Sequence, residues 1–145
     1  MTAVLRHGKY ANELFAAKTS ESGTIGIYSI YMTGYSMSSK GYAFRLMQRF
    51  NEDIIAISYD EHNNLLFCAS SSTLYECNVK HDYLQGYVVS SVEAIATFND
   101  AIGTGSICAI QAADEIVLVL TSNGSIYHVG EFDSSGIGFY SPSIS

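Results

Sequence analysis

Apolar and polar positions along this chain fall into a short phrase that recurs three times. The first copy runs Leu14-Phe15-Ala16-Ala17, then a Ser/Gly-rich turn, then Ile25-Gly26-Ile27-Tyr28-Ser29-Ile30. The second runs Leu65-Leu66-Phe67-Cys68-Ala69, Ser70-Ser71-Ser72, then Thr73-Leu74-Tyr75-Glu76-Cys77. The third runs Ile116-Val117-Leu118-Val119-Leu120, Thr121-Ser122-Asn123-Gly124, then Ser125-Ile126-Tyr127-His128-Val129. Each copy predicts an apolar strand, a tight polar turn, and an alternating strand in which a tyrosine follows an aliphatic residue. Tyr28, Tyr75 and Tyr127 are 47 and 52 residues apart, and self-similarity at such a period marks repeated structural units.

Further strands flank these hairpins. Tyr42 to Phe50 alternates, with Tyr42, Phe44, Leu46 and Gln48 on one side and Ala43, Arg45, Met47 and Arg49 on the other. Ile54 to Tyr59 and Ser106 to Gln111 each predict a strand before a hairpin, and Tyr87 to Phe98 supplies one or two more. Residues 10–18 are open between two readings: Tyr10, Leu14 and Ala17 would share a helical face, whereas the repeat makes Leu14 to Ala17 a strand. The repeat is the stronger guide. Asp60 to Asn64 is a turn of residues that tolerate left-handed backbone. Ala112 to Asp114 reads as a turn, and Asn123-Gly124 as a hairpin with positive φ at both positions. Residues 32–41 and 99–105 are the long polar loops, and the tail from Asp133 forms either a strand over Ile137 to Tyr140 or an arm onto a partner. The expectation is a single all-β domain over residues 1–145, with antiparallel sheets from repeated hairpins and units at about 10–50, 53–98 and 105–140.

The order strand, Asp/Asn turn, strand, Ser/Asn/Gly turn, strand carrying Ile/Leu-Tyr, then a variable fourth strand is similar to a β-propeller blade. The phrase Ile57-Ser58-Tyr59-Asp60-Glu61-His62-Asn63-Asn64-Leu65-Leu66-Phe67 resembles inner-strand patterns in propellers of nuclear-pore scaffold proteins, and similar phrases occur in propeller-containing tail and hub proteins of tailed phages. The resemblance covers about half the chain. It departs from the WD40 pattern, because the chain has no tryptophan and so no Trp-Asp pair. Propellers typically close with about four to eight blades. Two or three blades leave open edges, so either other subunits complete a ring or the hairpins form a β-sandwich or barrel.

Composition narrows the chemistry. Hydrophobic residues make up 48% of the 145, enough for a packed core, while charged residues are only 14%, about half the usual share. A surface made largely of Ser, Thr, Gly, Asn and Tyr is weakly protected against association, which suits a subunit as well as a monomer. The net charge of −7, with no dense Lys/Arg cluster, argues against direct contact with nucleic acid or an anionic membrane. The N-terminal stretch has no long apolar core after its charges, and the longest apolar run, Ile116 to Leu120, is only a strand's length. No signal peptide or transmembrane segment is expected, and the expected location is a virion or the cytoplasm. With Ser71-Ser72 at the turn, Cys68 falls opposite Tyr75 and Cys77 opposite Leu66, a register that disfavours a disulfide. With Cys108 the count is odd, and a reducing compartment follows.

No enzymatic signature emerges. His7, His62, His81 and His128 lack metal-binding spacings, and Gly103-Thr104-Gly105 and Gly136-Ile137-Gly138 are isolated pieces with no following helix. Asp60, Glu61 and Asp82 could gather on one rim, though the ordinary role of such residues is a solvated turn. No cofactor is expected. Eleven tyrosines stand out, because an apolar ring with a hydratable hydroxyl suits an interface, besides suiting strands in general. Tyr31, Tyr35, Tyr42, Tyr83, Tyr87, Phe139 and Tyr140 are the candidate interface residues. The expected function is a non-enzymatic structural subunit that docks to other protein chains as a homo- or hetero-oligomer. The resemblance implies a virion component such as a phage-like head–tail adaptor, tail or decoration protein, or else a nucleoporin-type scaffold module. Carbohydrate binding through rim tyrosines is a third reading.

Overall fold

The computed structural model describes residues 3–6, 14–19, 22–32, 42–113, 116–130 and 137–140. Among them every regular element is a strand: β1 (Ala3–Arg6), β2 (Leu14–Thr19), β3 (Ile25–Met32), β4 (Tyr42–Phe50), β5 (Ala56–Asp60), β6 (Leu65–Ala69), β7 (Thr73–Asp82), β8 (Gly86–Thr97), β9 (Ile107–Ala113), β10 (Ile116–Thr121), β11 (Ile126–Gly130) and β12 (Ile137–Tyr140). They form three four-stranded sheets, β1 to β4, β5 to β8 and β9 to β12, each with its strands side by side in chain order and antiparallel. The fold is all-β, as the period-2 patterning requires.

Local chemistry explains the hairpins. Asn64 takes a left-handed φ of 53° at the end of the β5–β6 turn, and the Asp60 carboxylate accepts bonds from the Asn63 amide and side chain. Between β6 and β7, Ser70 Oγ accepts the amides of Ser72 and Thr73. That turn sets Cys68 against Tyr75 and Cys77 against Leu66, the register expected from the serines. The β10–β11 turn differs from expectation. Only Gly124 has positive φ, at 83°, with its amide donating to the Thr121 carbonyl, so the turn is type I followed by a left-handed glycine. Asn123 keeps negative φ because its side-chain oxygen is engaged by the Thr121 hydroxyl and the Ser125 amide.

Other boundaries also moved. The stretch after Tyr87 is one strand, β8, whose bulges opposite Leu74/Tyr75 and Asn78/Val79 let it follow the whole of β7. Ala112 and Ala113 continue β9 as ladder residues opposite Val117 and Ile116. Ile54 precedes β5 and is buried in the core, while the Ile55 amide still donates to Ala69. Strand β1 was not anticipated.

The sheets stack face to face, with β5 in contact with β1 on one side and β9 on the other. Alternation along β6 divides its side chains between two cores. Leu66 and Cys68 pack with Phe15, Ala17, Ile27 and Phe50 of the first sheet and its end. Phe67 and Ala69 pack with Ile107, Val117, Val119 and Val129 of the third. The middle sheet is therefore covered on both faces along β6, which reads as an unbroken apolar run for that reason, while β8 is exposed over residues 90–94.

Candidate functional site

The three sheets can be superposed through their hairpin registers. Ala17 pairs with Ile27, Ala69 with Leu74, and Leu120 with Ile126. One residue further along, Ala16 pairs with Tyr28, Cys68 with Tyr75, and Val119 with Tyr127. Each sheet thus has a leading face, toward the next sheet in the chain, and a trailing face, toward the previous one. The leading set is Phe15, Ala17 and Ile27 in the first sheet and Phe67, Ala69 and Leu74 in the second, all buried. The trailing set is Leu66, Cys68 and Cys77 in the second sheet and Val117, Val119 and Val129 in the third, also buried.

Each joint is pinned by the repeated tyrosine. Tyr75 packs against Phe50, the last residue of the first sheet, with ring centroids 5.0 Å apart. Tyr127 packs against Phe98, which follows the last strand of the second sheet, at 5.7 Å. Both phenylalanines sit in the same phrase, Phe50-Asn51-Glu52 and Phe98-Asn99-Asp100, directly before the link to the next sheet. The Tyr75 hydroxyl donates to Glu52 at 2.6 Å, and burial together with that bond to a carboxylate pushes its pKa up to about 12. Ser58 Oγ accepts the Ala112 amide at 2.7 Å and ties β5 to β9. The link at residues 99–105, a long polar loop, is folded on itself. Asn99 accepts the Ile102 amide, Thr104 Oγ1 accepts the Asn99 amide, and Gly105 turns with φ +78° against Ser122.

The leading face of the third sheet carries Leu118, Leu120 and Ile126 at the places held by Phe67, Ala69 and Leu74. None of the three belongs to either core cluster; Leu118 and Ile126 are half-buried and Leu120 is 40% exposed. The trailing face of the first sheet carries Ala16, Tyr28 and Ile30, which are buried, and beside them Phe44 and Leu46 of β4, 41% and 39% exposed. Here Tyr28 meets Phe44 of its own sheet, at 6.5 Å edge-on, and the Lys18 ammonium lies 4.1 Å over the Phe44 ring.

The tyrosines singled out from sequence are dispersed. Tyr83 stands wholly exposed beside Leu84 at the tip of the β7–β8 turn, which Asp82 holds by accepting the Leu84 and Gln85 amides. Those bonds hold the Asp82 carboxyl below its usual range. Tyr87, four residues on, is a core residue rather than a surface one, 2% exposed and edge-on to Phe15 at 5.2 Å. Tyr31 is registered opposite Ala43 and Tyr42 opposite Met32, while Phe139 lies opposite Tyr127 and Tyr140 opposite Ile126. Tyr35 falls outside the described residues, as does most of the 32–41 loop and of the 133–145 tail. The leucines of the open face went unnoticed in the sequence. The signal that would have found them is the same repeat, read for which face each apolar position serves.

The remaining chemistry is structural. Cys68 and Cys77 sit diagonally across β6 and β7, both on the trailing face, with sulfurs 3.7 Å apart as free thiols. Their mutual hydrogen bond and burial push the Cys68 thiol pKa up, which keeps it protonated. An open cleft of about 660 Å³ lies where β4 passes β8, and there Arg45 donates to the Tyr87 carbonyl at 3.0 Å. Among the described residues no three His, Cys, Asp or Glu side chains gather to hold a metal ion, so Asp60, Glu61 and Asp82 do not form the rim cluster. No described helix is long and apolar enough to cross a membrane. Compared with family models, characterised proteins and solved structures, the chain matches none of them.

Proposed function

We propose that this chain is a non-enzymatic assembly subunit, built as an open arc of a β-propeller, that works by docking its sheet faces onto other protein surfaces. The observation that carries the reading is the leading face of the third sheet: Leu118, Leu120 and Ile126 repeat a face that is sealed wherever a next sheet follows it. The propeller reading is supported by strand order within each sheet, by β1, β5 and β9 lying next to one another, and by a middle sheet covered on both sides. A two-layer sandwich has no such middle layer. The polar side chains of the turns hold their own backbones, as Asp60, Asp82 and Asn99 do, which is scaffold chemistry. A particle component, such as a phage-like tail, adaptor or decoration protein, is the setting that suits a small subunit of this kind.

The test is a photo-crosslinking residue placed at Leu120 in the native cell or particle. Protein adducts are expected at Leu120, with few at the more exposed but turn-borne Ile102. A Leu120 probe that captures no protein would sink the reading.

A further inference from the structure

We propose that the cleft between the second and third sheets receives a basic side chain of a partner protein, an arginine or lysine presented among aliphatic neighbours. The proposal takes from the assembly reading above only that the partner is a protein, and it concerns a surface separate from the open leading face. The cleft has a volume of about 450 Å³ and an apolar lining of Leu65, Phe67 and Ile95 from one sheet and Ile116, Val117 and Val129 from the other. Asp60 and Glu76 add carboxylates to that lining, Asn63 and Asn78 add amides, and none of the described lining residues is Lys, Arg or His. An aliphatic stem that ends in a cation matches both parts, since Lys and Arg lay their methylenes on apolar surface and keep the charged head among polar groups.

Further observations select a cation. At the first joint the leading face continues from Phe15 to its ladder partner Ser29, which is wholly buried. At the second joint the ladder partner of Phe67 is Glu76, which is half-buried. Burying a carboxylate costs far more than burying a hydroxyl, so the joint stays open where Glu76 stands in place of the serine. Glu93 lies directly opposite Glu76 across β7 and β8. Like charges facing each other on a sheet repel, and a cation set against Glu76 offsets that repulsion. Charge along the chain points the same way. Of the 14 acids only Glu13 and Glu21 precede Asn51, and of the seven Lys and Arg only Lys80 follows it. The chain from Asn51 onward is therefore strongly acidic, and it attracts a partner surface of positive charge.

Titration of the full chain with two end-capped peptides tests this. One is Leu-Arg-Leu-Arg-Leu, and the other carries citrulline, an uncharged isostere, in place of each arginine. The arginine peptide is expected to bind with a dissociation constant below about 1 mM, read from NMR shifts of the Leu65, Glu76 and Ile95 amides. Replacing arginine by citrulline, or Glu76→Gln in the chain, is expected to weaken binding at least about tenfold through loss of a charge-assisted contact. Circular dichroism checks that strands persist. Should the glutamine variant fail to fold, Asn78→Lys, at an exposed position of the same lining, is expected to weaken binding by as much. An arginine peptide that does not bind, or binds no better than the citrulline peptide, overturns the proposal. Binding indifferent to Glu76→Gln in a folded variant overturns it too. Binding lost in Leu120→Glu but kept in Glu76→Gln puts the peptide on the open face, which removes the cleft and leaves the assembly reading in place. Cleft binding that persists while the Leu120 crosslinking probe captures no protein removes the assembly reading and upholds the cation site.

Discussion

Phe67 in the second sheet and Leu118 in the third hold the same position in the repeat, and their surroundings differ completely. Phe67 is sealed against Ile107, Val117 and Val119, whereas Leu118 sits half-buried on a face that joins no core cluster. The two sheets share strand order, hairpin register and a tyrosine at the same joint. What separates them among the described residues is that the third sheet packs on the leading face of the second. Among the described residues no core cluster takes in Leu118, Leu120 or Ile126, and an uncovered apolar sheet face is the usual mark of an interaction surface.

The largest effect is expected from substitution on the covered side. Phe67→Ala should cost about 3–5 kcal/mol in urea unfolding, through lost burial and the cavity left between the sheets. Leu118→Ala should cost about 1 kcal/mol or less in the dissociated chain. If the open face docks onto another protein, the Leu118 cost will grow with that protein's concentration while the Phe67 cost will not, because only association is concentration-linked. Equal, concentration-independent costs at the two positions would break the comparison.

A smaller effect separates the links from the hairpin tips. Gly105, in the link between the second and third sheets, has φ +78° and no room, since a Cβ would lie 2.7 Å from Ser122 Oγ. Gly124, at the β10–β11 tip, has φ +83° and open space around it. Gly105→Ala is expected to lose about 2 kcal/mol or more and Gly124→Ala about 1 kcal/mol, the left-handed backbone penalty alone. Thermal unfolding of the two variants decides it. A milder loss at Gly105 would mean that Ser122 yields readily and that the link is less tightly held than the tip.

The smallest effect concerns the joint itself. Tyr75 has its pKa raised from 10.0 to about 12, chiefly by burial and then by its bond to Glu52. A tyrosine whose folded pKa lies above its unfolded value contributes stability that is complete below the unfolded pKa and is lost as pH rises through the folded one. The chain should therefore lose stability between about pH 10 and 12, and Tyr75→Phe should flatten that part of the profile. At pH 7 the same substitution is expected to cost about 1 kcal/mol for the missing hydrogen bond. An unchanged alkaline slope would place the titrating group elsewhere, with Tyr59 the next candidate, since burial and the neighbouring Tyr87, Glu61 and Asp60 raise its pKa as well.

Much of this molecule was written in local pattern. The strand at Leu14 follows from its likeness to Leu66-Phe67-Cys68-Ala69, and the Cys68–Tyr75 register follows from the serines between them. Proximity of the two thiols was not legible from that register, because residues two places out of line share a face and approach diagonally. Tyr87 shows the harder failure. Two bulges between β7 and β8 shift the pairing, so alternation counted along Tyr87 to Phe98 cannot tell which side is covered. The open face went unseen for a related reason: Leu118 is as apolar as a core residue, and composition does not record whether a partner is there.

Most strands and the hairpin partners were determined by the sequence alone, because they depend on period-2 alternation and on backbone preferences within a few residues. Stacking was decided by the tertiary structure. It placed β1, β5 and β9 side by side, divided β6 between two cores, buried Tyr87 and left Leu120 outside. Each of those outcomes depends on contacts between residues tens of positions apart, where a side chain's environment is set by which sheet arrives and not by the residue itself.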